Sequence, residues 1–334
     1  MKFSTAWLTT NRTCNNNCLW CYAKKTLRKT QIMDFEKAKI AIDELIKKGI
    51  HRIVLIGGEP TIYPHFIDLI RYINSKNIIV SIATNGRKFK DINFANEVLN
   101  AGANRIDISL KAITEKEYME NTGTYGLLEM LQGYNNLKKL GFSPTMSYVI
   151  VSDSRVKFDN LLSFLEKENI SQISLQFVKP TLSLNETESI LDLKKMGKFV
   201  SYIYNKMKLT KIQYSIEISF PLCLIEEEVL KYLIEEDKIF NCCHVPRGSG
   251  INLDEDFKVI PCNHFGEFPF SDIPVDFTNP SSLEELYKSP IVKHFRSTTR
   301  CYPSVKCSVC NLWEQCGGGC FTYWLCMNPN DYIK

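Results

Sequence analysis

The stretch Arg12-Thr13-Cys14-Asn15-Asn16-Asn17-Cys18-Leu19-Trp20-Cys21-Tyr22 decides how the rest of the chain is read. It holds three cysteines, with three residues between the first pair and two between the second. Three cysteines cannot all pair as disulfides, but they can wrap one metal centre. On a cubane of four irons and four sulfurs, three thiolates leave one iron without a protein ligand. Such an iron can bind and cut a small molecule, whereas fully ligated clusters mostly carry electrons. A zinc knuckle or a chance grouping is the alternative.

Around this loop the chain alternates strands and helices. Residues 3–9 read as a strand running into the loop. Asp34 is a helix N-cap, and Phe35 to Lys48 carries helical apolar spacing closed by Gly49. His51 to Ile56 is an apolar strand, followed by Gly57-Gly58-Glu59-Pro60. A helix from Pro64 to Ser75 leads to the strand Ile78–Ala83, then Thr84-Asn85-Gly86. Helix 93–101 precedes the strand Arg105–Leu110. Thr124–Leu140 is helical, Pro144–Val151 a strand, Lys157–Glu168 a helix, Ile170–Val178 a strand and Ser189–Met207 a helix. Six strand–helix units, repeating at roughly 25 to 35 residues, predict a parallel sheet with helices outside. Six are too few for a closed eight-stranded barrel, so an open, partial barrel is expected. The cysteine, Gly-Gly-Glu and Thr-Asn-Gly loops all follow strands and should meet on the C-terminal face. Beyond residue 210, a strand over 211–219 and an acidic helix over 225–236 give way to a turn-rich, cysteine-rich tail. Expected domains are 1–208, a bridging segment 209–240, and 241–334.

The 334 residues suffice for a large domain plus a smaller one. Hydrophobic residues at 44% and charged residues at 23% fit a soluble globular protein. A net charge of +4 is too mild to argue for nucleic acid. No apolar run has signal-peptide or membrane length, so a cytoplasmic protein is expected. Thirteen cysteines are many for a reducing compartment and favour metal binding over disulfides. None lies between Cys21 and Cys223, while ten follow from Cys223 onward. Two metal-bearing regions should therefore flank a cysteine-free body.

The CxxxCxxC spacing, with aromatic Trp20 before the third cysteine, resembles the signature of the radical S-adenosylmethionine (radical SAM) enzymes. The resemblance implies a partial (β/α)6 barrel and a 4Fe-4S cluster on Cys14, Cys18 and Cys21. SAM would chelate the open iron through its amino and carboxylate groups. Gly57, Gly58 and Glu59, about 36 residues after the third cysteine, match the family's Gly-Gly-Glu loop, which binds the SAM amino group. Glu59 would accept a hydrogen bond from the ammonium. Trp20 would pack near the adenine. Thr84, Asn85 and Ser109 would reach the ribose or the carboxylate. A plain turn or core packing remains the alternative for each. Ser109-Leu110 matches a Ser-Leu pair of many relatives, but Lys111-Ala112 stands where they carry Asp-Gly.

The tail reads Cys307-Ser308-Val309-Cys310, then Cys316, Cys320 and Cys326, with Cys243 and Cys262 upstream. Seven cysteines in this order resemble the SPASM domain, a C-terminal extension holding two auxiliary 4Fe-4S clusters. By that resemblance Cys307, Cys310, Cys316 and Cys326 bind one cluster, and Cys320 joins Cys243 and Cys262 on the other. Cys242 is the alternate for Cys243, and Cys242, Cys223 or Cys301 could supply a fourth ligand, or that position could be open for substrate. Relatives often place Asp-Gly in the hairpin before Cys262, where this chain has Asp256-Phe257. Gly317 to Gly319 suit a tight wrap around a bulky cluster. Zinc ribbons are the alternative. His244 and His264 read as hairpin or surface residues, and the acidic runs near 226–228 and 235–237 as a solvated helix face.

Radical SAM enzymes with a SPASM extension mostly act on peptides. The function implied is reductive cleavage of SAM to a 5′-deoxyadenosyl radical, then hydrogen abstraction from a peptide or protein to install a crosslink, an epimerisation or an oxidation. A dehydrogenase or maturase of a small molecule, and a non-catalytic iron–sulfur electron carrier, are the rivals. Expected partners are the peptide substrate and a flavodoxin- or ferredoxin-like reductant, with no nucleic acid and no membrane. With the barrel starting near residue 3, leader recognition would need a separate protein, an edge strand, or no leader. No residue can be assigned from sequence as acid or base for the substrate step.

Overall fold

In the computed structural model, residues 3–27, 30–180, 192–240 and 243–333 are described. The elements run β1 (Thr5–Thr9), α1 (Phe35–Lys47), β2 (Arg52–Ile56), α2 (Phe66–Ser75), β3 (Ile79–Thr84), α3 (Ile92–Asn100), β4 (Arg105–Leu110), α4 (Glu115–Thr122), α5 (Leu127–Lys139), β5 (Thr145–Ile150), α6 (Arg155–Lys167), β6 (Gln172–Phe177), α7 (Leu193–Met207), β7 (Gln213–Glu217), α8 (Glu227–Glu235), β8 (Ile239–Phe240), α9 (His244–Arg247), β9 (Gly250–Leu253), β10 (Val259–Ile260), α10 (Ser282–Lys288), α11 (Pro290–Thr299), α12 (Trp313–Cys316) and α13 (Phe321–Trp324). The class is α/β with an open parallel sheet. Cys242 and the expected start of α7 at Ser189 lie outside the described residues.

The helices form where capping and apolar spacing agree. In α1, Asp34 accepts from the Lys37 N–H at 2.9 Å, satisfying an otherwise orphan donor. Ala38, Ala41, Ile42 and Leu45 make its buried stripe. Ile42 and Leu45 are fully buried, each stabilising by about 1.5–3 kcal/mol. Gly49 ends the turn at φ 94°. Strand β2 is buried along four of its five positions, as parallel strands covered on both faces are.

The chain packs as two compact units, Met1–Thr145 with His244–Thr298, and Met146–Cys243 with Thr299–Lys334. In the first, the strand order is β10-β9-β1-β2-β3-β4. β1 pairs in parallel with β2 on one side (Thr5 opposite Arg52) and with β9 on the other (Thr5 opposite Gly250). The tail thus returns to cover the first strand's free edge. At the β9–β10 turn Phe257 takes φ 66°, a conformation few non-glycine residues adopt. Its ring is buried, 6.5 Å from Phe277. Packing therefore holds a backbone shape that glycine takes without strain. In the second unit β5, β6, β7 and β8 run parallel in that order.

Candidate functional site

The cysteine loop leaves β1 and lies directly on the residues that follow β2. The Gly58 N–H donates to the Asn11 carbonyl at 2.9 Å, and the Glu59 N–H to the Thr13 carbonyl at 2.8 Å. A Cβ on Gly57 would stand 2.7 Å from the Asn11 carbonyl oxygen, and one on Gly58 2.2 Å from that of Thr13. Only glycine permits this approach. The paired glycines therefore serve first to let the cysteine loop dock on the sheet.

Glu59 joins the ends of β2 and β3. Its Oε1 accepts from the Thr61 N–H at 3.1 Å and from the hydroxyls of Thr61 and Thr84, both at 2.6 Å. Its Oε2 accepts from the Asn85 N–H at 2.7 Å. The side chain is almost wholly buried. Burial pushes its carboxyl up, opposed by these four donors. Oε1 is saturated, while Oε2 takes a single protein donor and keeps capacity for an ammonium. Asn85 reaches the cysteine loop through Nδ2, which donates to Asn15 Oδ1 at 2.6 Å. Ser109 is half-buried near the end of β4.

Sequence reasoning missed the residues that brace the loop from outside. Arg87 Nη1 donates to the Asn15 carbonyl at 2.7 Å and to Asn16 Oδ1 at 2.9 Å. Its Nε pairs with Glu129 at 2.7 Å. Asn16 Nδ2 donates to the Tyr118 hydroxyl at 3.0 Å. The Asn17 and Leu19 N–H groups donate to the carbonyls of Thr122 and Asn121 at the end of α4. Arg12, at the root of the loop, pairs with Glu255 at 2.6 Å, both side chains buried. The one available signal was an arginine directly after Thr84-Asn85-Gly86.

The thiols of Cys14, Cys18 and Cys21 are free and close enough to act on one another electrostatically. Burial pushes the Cys14 thiol up to about 12, eased by the Asn16 N–H at 3.4 Å and reinforced by Glu59, Cys18 and Cys21. Burial raises Cys21 as well. As thiolates the three would carry like charges in a partly buried loop, a costly arrangement unless a cation shares them. Trp20 Nε1 is buried beside them with no acceptor among the described residues, an orphan donor that a bound group would satisfy. Among the described residues, no three His, Cys, Asp or Glu side chains stand as ligands to a single metal ion. A cubane asks for a wider spacing, because each thiolate takes its own iron. The donor set fits a 4Fe-4S cluster.

The second unit gathers four more thiols. Cys223 is influenced by Cys316, Cys307 and Cys310, and Cys316 by Cys307 and Cys310. Burial, with these neighbours, pushes Cys223 up to about 11. Cys326 stands apart: its thiol lies 3.4 Å from the Thr322 carbonyl, and burial alone raises it. Cys320 and Cys243 are in this unit, Cys262 in the first. Lys179 pairs with Glu217 at 2.5 Å just past β6 and at the end of β7. Burial pulls the Lys179 ammonium down, but Glu217 and nearby Cys320 outweigh it and hold it above its ordinary value. His244 stacks on Trp7 at 4.3 Å and meets Asn252, and His264 faces the Tyr22 ring at 5.4 Å.

Residues 8–165 match the family model described as the Radical SAM superfamily. A protein of Metallosphaera sedula named probable GTP 3′,8-cyclase is 24% identical over 229 residues, covering 67% of this chain and 72% of its own. The crystal structure of Streptococcus suis SuiB bound to S-adenosylmethionine superposes with a TM-score of 0.74 at 17% identity, covering 98% of this chain and 75% of that one. The structure of anSMEcpe with bound AdoMet and Cp18Cys peptide gives 0.72 at 16% identity, covering 95% and 89%. At such identities the superpositions establish the fold.

Proposed function

Because residues 8–165 make this chain a member of the radical SAM superfamily, we propose that it is a peptide maturase. It cleaves SAM reductively and uses the 5′-deoxyadenosyl radical to take a hydrogen from a peptide or protein, installing a crosslink, an epimerised centre or an oxidised side chain. The observation that carries this reading is the reach of the likeness. The superposition covers 95% of this chain, on a structure of anSMEcpe that holds AdoMet and a peptide. A second SuiB structure, covering 98% of this chain, holds the precursor peptide SuiA.

The placement of this chain's residues supports a role for each. Cys14, Cys18 and Cys21 would hold the cluster, which supplies the electron for SAM cleavage when bound. Gly57 and Gly58 fix the cysteine loop against β2. Glu59 Oε2, with a single protein donor, would accept from the SAM ammonium, and Trp20 Nε1 would donate to a bound acceptor. Asn85 holds Asn15 and so the loop's first turn. Ser109 offers a hydroxyl on the neighbouring strand. The cysteines of the tail would carry auxiliary clusters fed by a flavodoxin- or ferredoxin-like donor.

The names of the sequence relatives favour a second reading, a cyclase acting on a nucleotide. Anaerobically reconstituted protein, SAM and dithionite separate the two. Peptide maturation predicts that some member of a short-peptide library stimulates 5′-deoxyadenosine release and leaves with an altered mass. If GTP alone stimulates release and is consumed, the peptide reading fails. If no 5′-deoxyadenosine forms under any condition, both fail.

A further inference from the structure

Parallel strands are mostly built from apolar residues, yet one face of β2, β3 and β4 carries Arg52, Ser81, Arg105 and Asp107. Val54 stands opposite Ser81 in the register, and Ser81 opposite Arg105. Residues opposite each other in a ladder point the same way, as do residues two apart in one strand. Arg52, two before Val54, and Asp107, two after Arg105, therefore share the face of Ser81. Ser109 continues that face toward the C-terminal end of β4, about 13 Å of strand beyond Arg105.

These groups do not satisfy one another. Ser81 is 3% exposed, and its Oγ has no hydrogen-bond partner among the described residues. The Nε of Arg52 is shut from solvent and likewise has no acceptor there. Among the described residues no ion pair joins Asp107 to either arginine. All three charges still feel one another. Burial pulls the Arg52 guanidinium down and Arg105 adds to this, while burial pushes the Asp107 carboxyl up against the pull of Arg105 and Arg52. Arg105 is exposed, and Arg52 and Asp107 are half-buried, so a ligand can reach the group from the Arg105 side. A fold that used these charges for its own stability would close them into pairs, because a buried donor without an acceptor is costly. The missing partner is an acceptor lying between β2 and β4. Two guanidiniums against one carboxylate leave a formal charge of +1. One carboxylate neutralises that charge, and the phosphate chain of a nucleotide exceeds it.

We propose that Arg52, Ser81 and Arg105 hold a carboxylate of the substrate, with Asp107 accepting from a donor beside it. This rests on the peptide-maturase reading and narrows it to peptides with an acidic side chain or a free C-terminus. The planar guanidiniums supply paired N–H donors that match a carboxylate. The Ser81 hydroxyl adds one more donor. Asp107 takes an N–H of the same ligand and repels a second negative charge.

Two measurements test the site. The first compares wild type, Arg52→Met and Ser81→Ala without ligand. Each change removes a buried group that has no partner, so both variants should melt at or above the wild-type temperature. Arg52 serving the fold itself would give a clear fall instead. The second uses the full chain, reconstituted anaerobically and supplied with SAM and dithionite. Three probes are added separately: a pool of short peptides with free C-termini and Asp or Glu side chains, the same pool amidated at every carboxylate, and GTP. Phenylglyoxal modification of Arg52 and Arg105, read by peptide mass spectrometry, should fall with the acidic pool alone. That pool should stimulate 5′-deoxyadenosine release at least about tenfold more in wild type than in Arg52→Met. If the amidated pool stimulates release and gains an altered mass as the acidic pool does, the maturase reading stands and the carboxylate site falls. Protection by GTP alone would overturn the carboxylate assignment, and consumption of GTP the maturase reading as well. Protection by no probe, or a clear fall in the ligand-free melting temperature of Arg52→Met, would overturn the site.

Discussion

Thr84→Val replaces one hydroxyl with a methyl of nearly the same shape at the end of β3. In the structure that hydroxyl donates to Glu59 Oε1 at 2.6 Å and accepts from the Gly86 N–H at 3.0 Å. Thr84 is 3% exposed and Glu59 1%, so water cannot replace either partner. A hydrogen bond to a charged group contributes about 1.5–3 kcal/mol, and a stranded buried N–H costs about 1–3 kcal/mol. The new buried methyl returns somewhat under 1 kcal/mol. The expected net loss is about 2–4 kcal/mol. For a unit of this size that is a fall of about 5–15 °C in the melting temperature of the metal-free protein. Hydrogen exchange should accelerate at the Asn85 and Gly86 amides, and Thr84→Ser should restore both readouts. If the metal-free Val variant melts with wild type and exchanges normally while SAM binding falls, Thr84 serves the ligand directly. The brace between β2 and β3 would then be wrong.

Gly58→Ala drives a Cβ into the Thr13 carbonyl at 2.2 Å, so the cysteine loop must lift. Iron bound through Cys14, Cys18 and Cys21 should be lost, with tail iron retained; full iron content would refute the docking role of the glycine. Gly319→Ala adds a Cβ at φ 82° against the Phe220 backbone and should do the reverse, lowering tail iron with the N-terminal cluster kept. Asp254 accepts from the Asp256 and Lys258 N–H groups, and burial pushes its carboxyl from 3.8 up to about 6. A raised acid holds its proton more tightly in the folded state, so its contribution is full below about pH 4 and is lost as pH rises to about 6, a cost of about 3 kcal/mol above that. Asp254→Asn keeps both accepted bonds through its oxygen. It should raise the melting temperature at pH 7.5 and leave it unchanged at pH 4; equal shifts at both would refute the assignment.

The cysteine loop and the strands after it could be read directly, because ligand spacing and strand–helix alternation are local properties. Strand β4 was expected over Arg105–Leu110 and is found there. Helix α4 was not foreseen. Its eight residues, EKEYMENT, are mostly polar and give little apolar periodicity to read. The braces around the site were also hidden. Arg87 meets Asn15 and Asn16 across some seventy residues, and nothing in either segment names the other. Strand β9 is four residues long, too short to announce a parallel pairing with β1 from the far end of the chain. Conversely, Phe257 stands where the resemblance led to an expectation of glycine, and the structure accommodates it by burying its ring.

The pairing of β1 with β9, and of Arg12 with Glu255, also fixes an order of events during synthesis. Arg12 is made 243 residues before Glu255, so the root of the cysteine loop has no counter-charge and its strand no second neighbour until the 250s are made. At about 5–20 residues per second that interval is on the order of 10–50 s. For that time the three thiols hang from an unfinished edge, reactive toward oxidants and stray metals. Completion of their binding site waits on a segment made 243 residues after the root of the motif that defines it.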